Sequence, residues 1–551
     1  MTMIHDAERR ATGCREVIGV FSPGAMKQPR RAAIAAGSEH TLAAGERLLE
    51  LGGNAVDIAV GAAMTAMIAE ILMCSPGGSA MVMLRVGRVT ELIDGCDAMP
   101  GQGPPRPDGE PDRAIEPRWR EHDVPGDHGR RIRVRAGHAA VAVPGALAAL
   151  ETAWRRHGRL PWRELVAPGH ELARAGIPTA PETARWLTAA AELFAADELG
   201  RRSFFPDGSA PAAAGTLLRI PHLADALDYI AREGARAFYL GDIAALFARD
   251  MEAHGGLVTR EDLAAYQAVV RQPLTLVSRQ FEVALAPPPS AAGAMAGVLI
   301  GLLELDWDLH PGQAQRALHH AQIQARVQAG LQAQGLADRI QRAAAELDIE
   351  SARSLLSTAA LLEHAGAPRS PSTTHVSVVT EDGSAVAITA TMGRGAGVSI
   401  AGAGIPCNGS AGETALDGDG RLVTRPGTRL ISNMCPTVAF SEREGNVVAL
   451  GAIGGARAAT ALAQVWLAHS REGLPVEAAV VAPRLHVERP PGARIGGRDD
   501  LVVYCEPGIP TRLLEQSFPV HSFEAPDRFF GRVTLAARDS RGHLHTATDT
   551  R

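Results

Sequence analysis

The chain of 551 residues has few aromatics, only 4% of its length, and no uninterrupted apolar stretch of transmembrane length. Without about 18 consecutive uncharged apolar residues, a membrane-spanning helix is not expected. The first residues, MTMIHDAERRATGCREVIGVF, carry acids and bases where a secretory signal would need an apolar centre. The six cysteines (Cys14, Cys74, Cys96, Cys407, Cys435, Cys505) form no CxxC pair and have no zinc-like spacing. Scattered single cysteines fit a reducing compartment. Charge is mixed, with 55 basic and 61 acidic residues and a net charge of −6. No basic stripe with interleaved aromatics marks a nucleic-acid surface. These absences set the first expectations: a soluble, cytoplasmic protein with no metal, no cofactor, no nucleic-acid partner and no membrane partner.

What is present is ample core material. Hydrophobic residues make up 46% of the chain, and Ala and Gly are abundant. Small side chains let helices and sheets approach closely. From Ser38 to about Ile71 the spacing predicts two helices, broken at Gly52-Gly53-Asn54. Ser75-Pro76-Gly77-Gly78 reads as a turn and Met81–Leu84 as a strand. The Pro, Gly and charge-rich segment 100–135 reads as a surface loop. Val143-Pro144-Gly145 opens a further helix, and helices dominate to about residue 270. Phe281–Leu285 is a strand, and 313–365 reads as long helices. Near residue 366 the composition changes. Thr374–Val379 and Ala385–Thr391 alternate as strands around the turn signal Asp382-Gly383. Helical chain followed by strand-rich chain predicts an α+β body in layers.

The boundary Ser370-Pro371-Ser372-Thr373-Thr374-His375 has chemical potential. A hydroxyl residue at the start of a strand, after a proline-containing loop, is placed to attack its own preceding peptide bond. Cutting Ser372–Thr373 would give Thr373 a free α-amine with a pKa of ~8. That amine can serve as base for the adjacent hydroxyl, so one residue supplies nucleophile and base. By local pattern alone, strand propensity is the usual reason for a threonine here.

Motifs elsewhere add to this. Gly52-Gly53-Asn54-Ala55-Val56-Asp57, Ser75-Pro76-Gly77-Gly78 and Val143-Pro144-Gly145 with His157-Gly158-Arg159-Leu160-Pro161-Trp162 follow one another. Then come Gly255-Gly256-Leu257-Val258-Thr259 with Asp262-Leu263 and Tyr266, and Pro288-Pro289-Ser290. Thr373-Thr374-His375, Met434 with Pro436-Thr437, Gly454-Gly455 with Arg457, and Asp549-Thr550-Arg551 complete the series. This ordered set, spread over about residues 35–551, resembles the gamma-glutamyltranspeptidase family. The resemblance implies a four-layer αββα sandwich of the N-terminal-nucleophile hydrolase type. It implies self-cleavage into a large subunit, 1–372, and a small subunit, 373–551, that stay together as partners. It assigns Thr373 as nucleophile, Thr391 as the residue that orients it, and the N–H groups of Gly454 and Gly455 as the oxyanion hole.

The same resemblance exposes departures at the positions that read a glutamyl group. Cys96 stands where the family has an arginine, in Asp94-Gly95-Cys96-Asp97-Ala98-Met99-Pro100. A thiol cannot grip a carboxylate in two-pronged fashion. Gly393 replaces an asparagine, Ser410 and Glu413 replace a Gln and an Asp, and Ser432-Asn433 replaces a serine pair. Glu413 remains a candidate for an amine, and Arg394 a candidate replacement cation or a surface residue. The chain between Glu413 and Ser432 is short, implying a trimmed lid. A hydrolase for a non-standard small acyl substrate, in secondary (antibiotic) metabolism, is therefore expected. A true gamma-glutamyltransferase, a C–C bond hydrolase of the alkylproline-pathway type and a non-catalytic binding homologue stay open as alternatives.

Overall fold

The computed structural model describes residues 14–18, 31–101, 119–125, 131–305, 307–310, 312–330, 372–414, 425–489 and 501–551. Most of the proline-rich loop within 100–135, the helices expected beyond residue 330, and much of the shortened lid segment lie outside the described residues.

Two antiparallel sheets form the centre. The first has seven strands in the order Cys14–Ile18, Arg31–Ala35, Thr373–Thr380, Ala385–Thr391, Ser79–Val86, Val89–Gly95, Val269–Arg271. The second has six, in the order Leu274–Ser278, Phe281–Leu285, Thr437–Phe440, Val447–Ile453, Arg532–Arg538, Leu544–Thr548. The Thr373–Thr380 and Ala385–Thr391 strands pack on Val447–Ile453 of the second sheet. Helices Ala55–Ala69 and Ala146–His157 cover the outer face of the first sheet, and Ala291–Leu305 and Ala458–Ser470 cover that of the second. The result is the expected α+β, four-layer αββα arrangement. The lead-in also contributes a strand, Cys14–Ile18, where only turns were expected. It pairs with Arg31–Ala35 and extends the first sheet.

Strand alternation sorts the side chains into these layers. Val376 and Val378 point to the helical side and join the large core with the Ala55–Ala69 helix. Val379 faces the other sheet, among Ala33, Met81, Met83, Ala387 and Ala449. Alanines on both inner faces let the sheets come close. At Gly451 the fit is tighter still: a Cβ there would fall 2.2 Å from the ring of His375.

Several sequence motifs turn out to be joints. Asn54 caps the Ala55–Ala69 helix by accepting from the N–H of Val56 and Asp57, and Asp57 accepts from the N–H of Asn54 in return. Asp57 also accepts from the N–H of Arg159 and Leu160, at 2.9 and 3.2 Å, so the first motif clasps the HGRLP segment. Thr259 and Asp262 form a second capping box. The terminal Arg551 is held by Glu506 and Asp549, and Asp549 also meets the buried Arg484 at 2.8 Å.

Glu70, at the end of the Ala55–Ala69 helix, ties that helix to the strand that begins at Thr373. Its carboxylate accepts from the hydroxyls of Thr374 (2.6 Å) and Thr41 (3.0 Å). Burial raises its pKa, and the two hydroxyls oppose that rise. Glu70→Ala is expected to strand two buried hydroxyls and cost ~1–3 kcal/mol, read as a lower urea midpoint at unchanged m-value. His375 is buried between the sheets, its ring nitrogens 2.8 Å from Thr389 Oγ1 and 2.9 Å from Ser377 Oγ. Desolvation lowers its pKa to about 3. Below pH ~6.5 the unfolded chain takes up this proton and the folded chain does not, so stability is lost as pH falls from ~6.5 toward 3. Between pH 7 and 5 this residue is expected to contribute a loss of ~2 kcal/mol. His375→Gln should lose correspondingly less over that range in urea titrations.

Candidate active site

The hairpin sets the geometry. Thr373 and Thr391 are direct cross-strand partners, so their side chains share one face. Thr373 Oγ1–H donates to Thr391 Oγ1 at 3.3 Å. Thr391 Oγ1–H donates in turn to the carbonyl oxygen of Ser372. The N–H of Gly393 donates to Thr391 Oγ1 at 3.1 Å and fixes the direction of its lone pairs. One hydroxyl therefore touches both the oxygen of Thr373 and the carbonyl of the bond that precedes it. Ser372 is fully buried, which holds that carbonyl in place.

Thr373, Thr391 and Gly393 line a cleft together with Ser79, Cys96, Asp97, Ser410, Glu413, Ser432, Asn433, Gly454 and Gly455, and with the apolar Leu430, Ile431, Met434 and Ile453. All of the residues picked out from sequence except Ser372 and Arg394 thus meet at one cleft. Gly454 and Gly455 lead through one turn of 3-10 helix into the Ala458–Ser470 helix. Their φ angles of 136° and 61° favour glycine. A Cβ on Gly454 would sit 2.7 Å from Gly531 Cα. The first N–H groups of a helix have no partner within it, so donors gather at this entry beside the cleft-lining Gly454 and Gly455.

The pocket floor is built by long-range contacts. The backbone oxygen of Cys96 accepts from Tyr266 Oη–H (2.6 Å) and from Arg429 (3.0 Å), which lies over the Tyr266 ring. Burial and the nearby Asp94 and Asp97 push the Cys96 thiol pKa well up, so it stays protonated. Asp97, not singled out by any motif, is buried at the cleft, and Ser410 Oγ–H donates to it at 2.6 Å. Desolvation raises its pKa to about 7. Ser432 is set by the proline loop: Ser432 N–H donates to Pro289 O, and Ser432 Oγ accepts from Met434 N–H.

Two expectations need correcting. Arg394 is neither a surface residue nor a cation lining the described cleft. It is buried, with its guanidinium 3.5 Å from Glu413, and its own N–H also donates to Glu413. Glu413 is accordingly not an open carboxylate waiting for an amine. His375 adjoins the threonine pair in sequence, but its ring is neutral, buried and already bonded on both nitrogens, so it is no general base. Away from the cleft, His138, Asp250 and His254 come together, with the two rings stacked 4.5 Å apart. One nitrogen of each ring faces Asp250: His254 Nδ1 lies 2.9 Å from Asp250 O, and His138 Nε2 lies 3.6 Å from Asp250 Oδ1. Nothing in the sequence spacing had pointed to this trio. Among the described residues, no helix is long and apolar enough to cross a membrane.

Known proteins agree with this geometry. The family described as gamma-glutamyltranspeptidase matches residues 41–551. Glutathione hydrolase 2 of Arabidopsis thaliana is 28% identical over 483 residues, covering 82% of this chain and 80% of the plant protein. The acylase ACY 1 proenzyme of Pseudomonas sp. (strain SE83) is 29% identical over 468 residues, covering 81% and 80%. In fold, the chain resembles the crystal structure of cephalosporin acylase from Bacillus halodurans, with a TM-score of 0.70 and 21% identity over 96% of this chain and 97% of that one. With the αββα layers, the threonine hairpin and a family match over nearly its whole length, the chain belongs to the gamma-glutamyltranspeptidase family and is an enzyme of that family, of the hydrolase and acyltransferase kind.

Proposed function

We propose that this protein cuts itself between Ser372 and Thr373 and that Thr373 then hydrolyses, or transfers, the acyl group of a small substrate that is not a gamma-glutamyl amide. The observation that carries this reading is the Thr391 hydroxyl, which bonds both Thr373 Oγ1 and the Ser372 carbonyl.

In the cut, Thr373 Oγ1 attacks the carbonyl carbon of Ser372. A C–O bond forms, and the oxygen that gains charge is the one Thr391 already holds. The C–N bond to Thr373 then breaks, and the nitrogen keeps the electron pair and takes the hydroxyl proton. Water hydrolyses the resulting ester, leaving a carboxylate on Ser372 and a free amine and hydroxyl on Thr373. The products are a large subunit, 1–372, and a small one, 373–551. They stay joined because the Thr373–Thr380 strand pairs with Arg31–Ala35, and Ala385–Thr391 with Ser79–Val86, of the large subunit.

In turnover, the new amine accepts the Thr373 hydroxyl proton as the oxygen attacks the substrate carbonyl. The N–H groups of Gly454 and Gly455 then receive the oxyanion. Loss of one such donor typically costs ~3–4 kcal/mol. The leaving group departs with the proton, and water or another acceptor resolves the acyl-Thr373 ester. Against a glutamyl substrate stand Cys96, Gly393, Ser410 and Asn433, together with the engagement of Glu413 by Arg394. Attack by the same threonine on a carbonyl carbon would break an adjacent C–C bond as well as an amide, the leaving carbanion taking the proton held by the amine, so an antibiotic-pathway substrate of the alkylproline type fits the same chemistry. Action within the cytoplasm is part of the same proposal.

Purified wild-type protein is expected to run as two bands, matching 1–372 and 373–551, with Thr-Thr-His at the start of the smaller. Thr373→Ala should remain a single band. Thr391→Val removes one hydrogen bond to the developing charge, worth ~1.5–3 kcal/mol, and should slow the cut ~10- to 100-fold in a time course on gels. An intact wild-type chain, or a Thr391→Val chain that cuts at the wild-type rate, would overturn the mechanism.

A further inference from the structure

We propose that Arg484 and Asp549 are positioning residues for the reaction: acting through the turn 527–531, they fix Gly454 and so set the direction of the Gly454 and Gly455 N–H groups. The inference rests on the reading of those two groups as the donors that receive the oxyanion, and it gives the closing motif Asp549-Thr550-Arg551 a part in turnover.

Sheet pairing brings the two turns together. Ile453 pairs with Arg532 in antiparallel strands, so Gly454 and Gly531 leave the sheet at the same end, side by side. The space between them holds no side chain. A Cβ on Gly454 would fall 2.7 Å from Gly531 Cα, and one on Gly531 would fall 2.9 Å from the Ile453 carbonyl oxygen. Phe529, in the same turn, makes a second contact: the Arg457 guanidinium lies over its ring, 4.4 Å from the centroid. Arg457 closes the 3-10 turn that begins at Gly455. A shift of residues 527–531 therefore carries the glycine turn with it.

A buried charge network holds that segment from behind. Arg484 Nη1–H donates to the Gly531 carbonyl at 2.7 Å, and the same nitrogen lies 2.8 Å from Asp549. Both side chains are 1% exposed. The other end of the turn is tied by Glu506, which accepts from the N–H of Asp527 at 3.1 Å and from that of Arg484 at 2.9 Å. Asp527 accepts from Phe529 N–H at 2.7 Å, which closes the turn. Arg551 pairs with both Glu506 and Asp549 and so joins the two ends. A charged donor makes the stronger kind of hydrogen bond, and a planar guanidinium fixes direction as well as distance. An apolar side chain at 484 would fill the space without gripping the Gly531 carbonyl. Donors to an oxyanion act only when aimed at the place where it forms, and a misplacement of ~1 Å can cost ~100-fold in rate.

The test replaces both partners at once, Arg484→Met combined with Asp549→Leu, because removing one alone leaves a bare buried charge, whereas apolar replacement of a whole buried pair is commonly tolerated. Two rates are compared in the full chain: self-cleavage on gels, and hydrolysis of p-nitrophenyl acetate, an activated ester used as the probe, above the background of Thr373→Ala. The oxyanion of the cut is held by Thr391, so the double variant should cut within ~3-fold of the wild-type rate. Its kcat on the ester should fall ~10- to 100-fold with KM unchanged, the mark of an interaction made only in the transition state. A wild-type kcat overturns the proposal, and so does a cut that slows by the same factor as turnover, which a merely structural role would produce. If the double variant yields no folded protein, Asp549→Asn, which keeps the shape and loosens the pair, decides by the same two rates. If the wild type does not cut, or hydrolyses the ester no faster than Thr373→Ala, the reading of Thr373 falls. Hydrogen exchange then judges the positioning separately: residues 453–458 exchanging ~10-fold faster in the variant, with 373–391 unchanged, sustain it, and unchanged exchange at 453–458 sinks it.

Discussion

A slip of one residue between the strands Thr373–Thr380 and Ala385–Thr391 would turn Thr391 away from Thr373, because successive strand side chains point to opposite faces. The pairing as it stands opposes these two threonines and places His375 opposite Thr389. Everything in the site is referred to that register. It lets Thr391 reach the Ser372 carbonyl, and it sends Thr374 to the other face, where Glu70 anchors it. The register is locked on both faces. On one, Val376 and Val378 lie in the helical core. On the other, the neutral ring of His375 packs over Gly451 and bonds two hydroxyls. A slip would put a histidine into the aliphatic layer and valines against hydroxyl partners.

The charge pattern around this rigid centre separates chemistry from recognition. Thr373, Thr391 and the glycine turn form a backbone-defined unit in which no ionised side chain takes part. The wall that faces them keeps its titratable side chains largely out of solvent. Cys96 is kept protonated by burial, Asp97 is bonded to Ser410, and Glu413 is held by Arg394. Gly393 and Glu413 form one arrangement, since the Glu413 carboxylate occupies the space a side chain at 393 would need.

The threonine hairpin was legible in the sequence because its information is local: alternation, an Asp-Gly turn and a proline before the strand. The two helices around Asn54 were legible for the same reason, and their cap is formed by the residues that announced them. Other elements gave weaker signals. The strand Cys14–Ile18 lies in a stretch whose turn residues dominated the reading, and it is held by pairing with a neighbouring strand. Asp97 stood in plain view next to Cys96, but its burial depends on Ser410, more than 300 positions away.

The sequence by itself determined the layered α+β class, the hairpin and the candidate threonine, because period-two alternation and turn chemistry act over a few residues. It also marked Cys96, Gly393 and Glu413 as unusual. Only the tertiary structure decided what those residues do. Whether Glu413 faces a ligand or Arg394, and whether His375 is a base or a buried wedge, depends on which distant groups surround each one. A charge is set by its neighbours and its access to water, and neither is written along the chain.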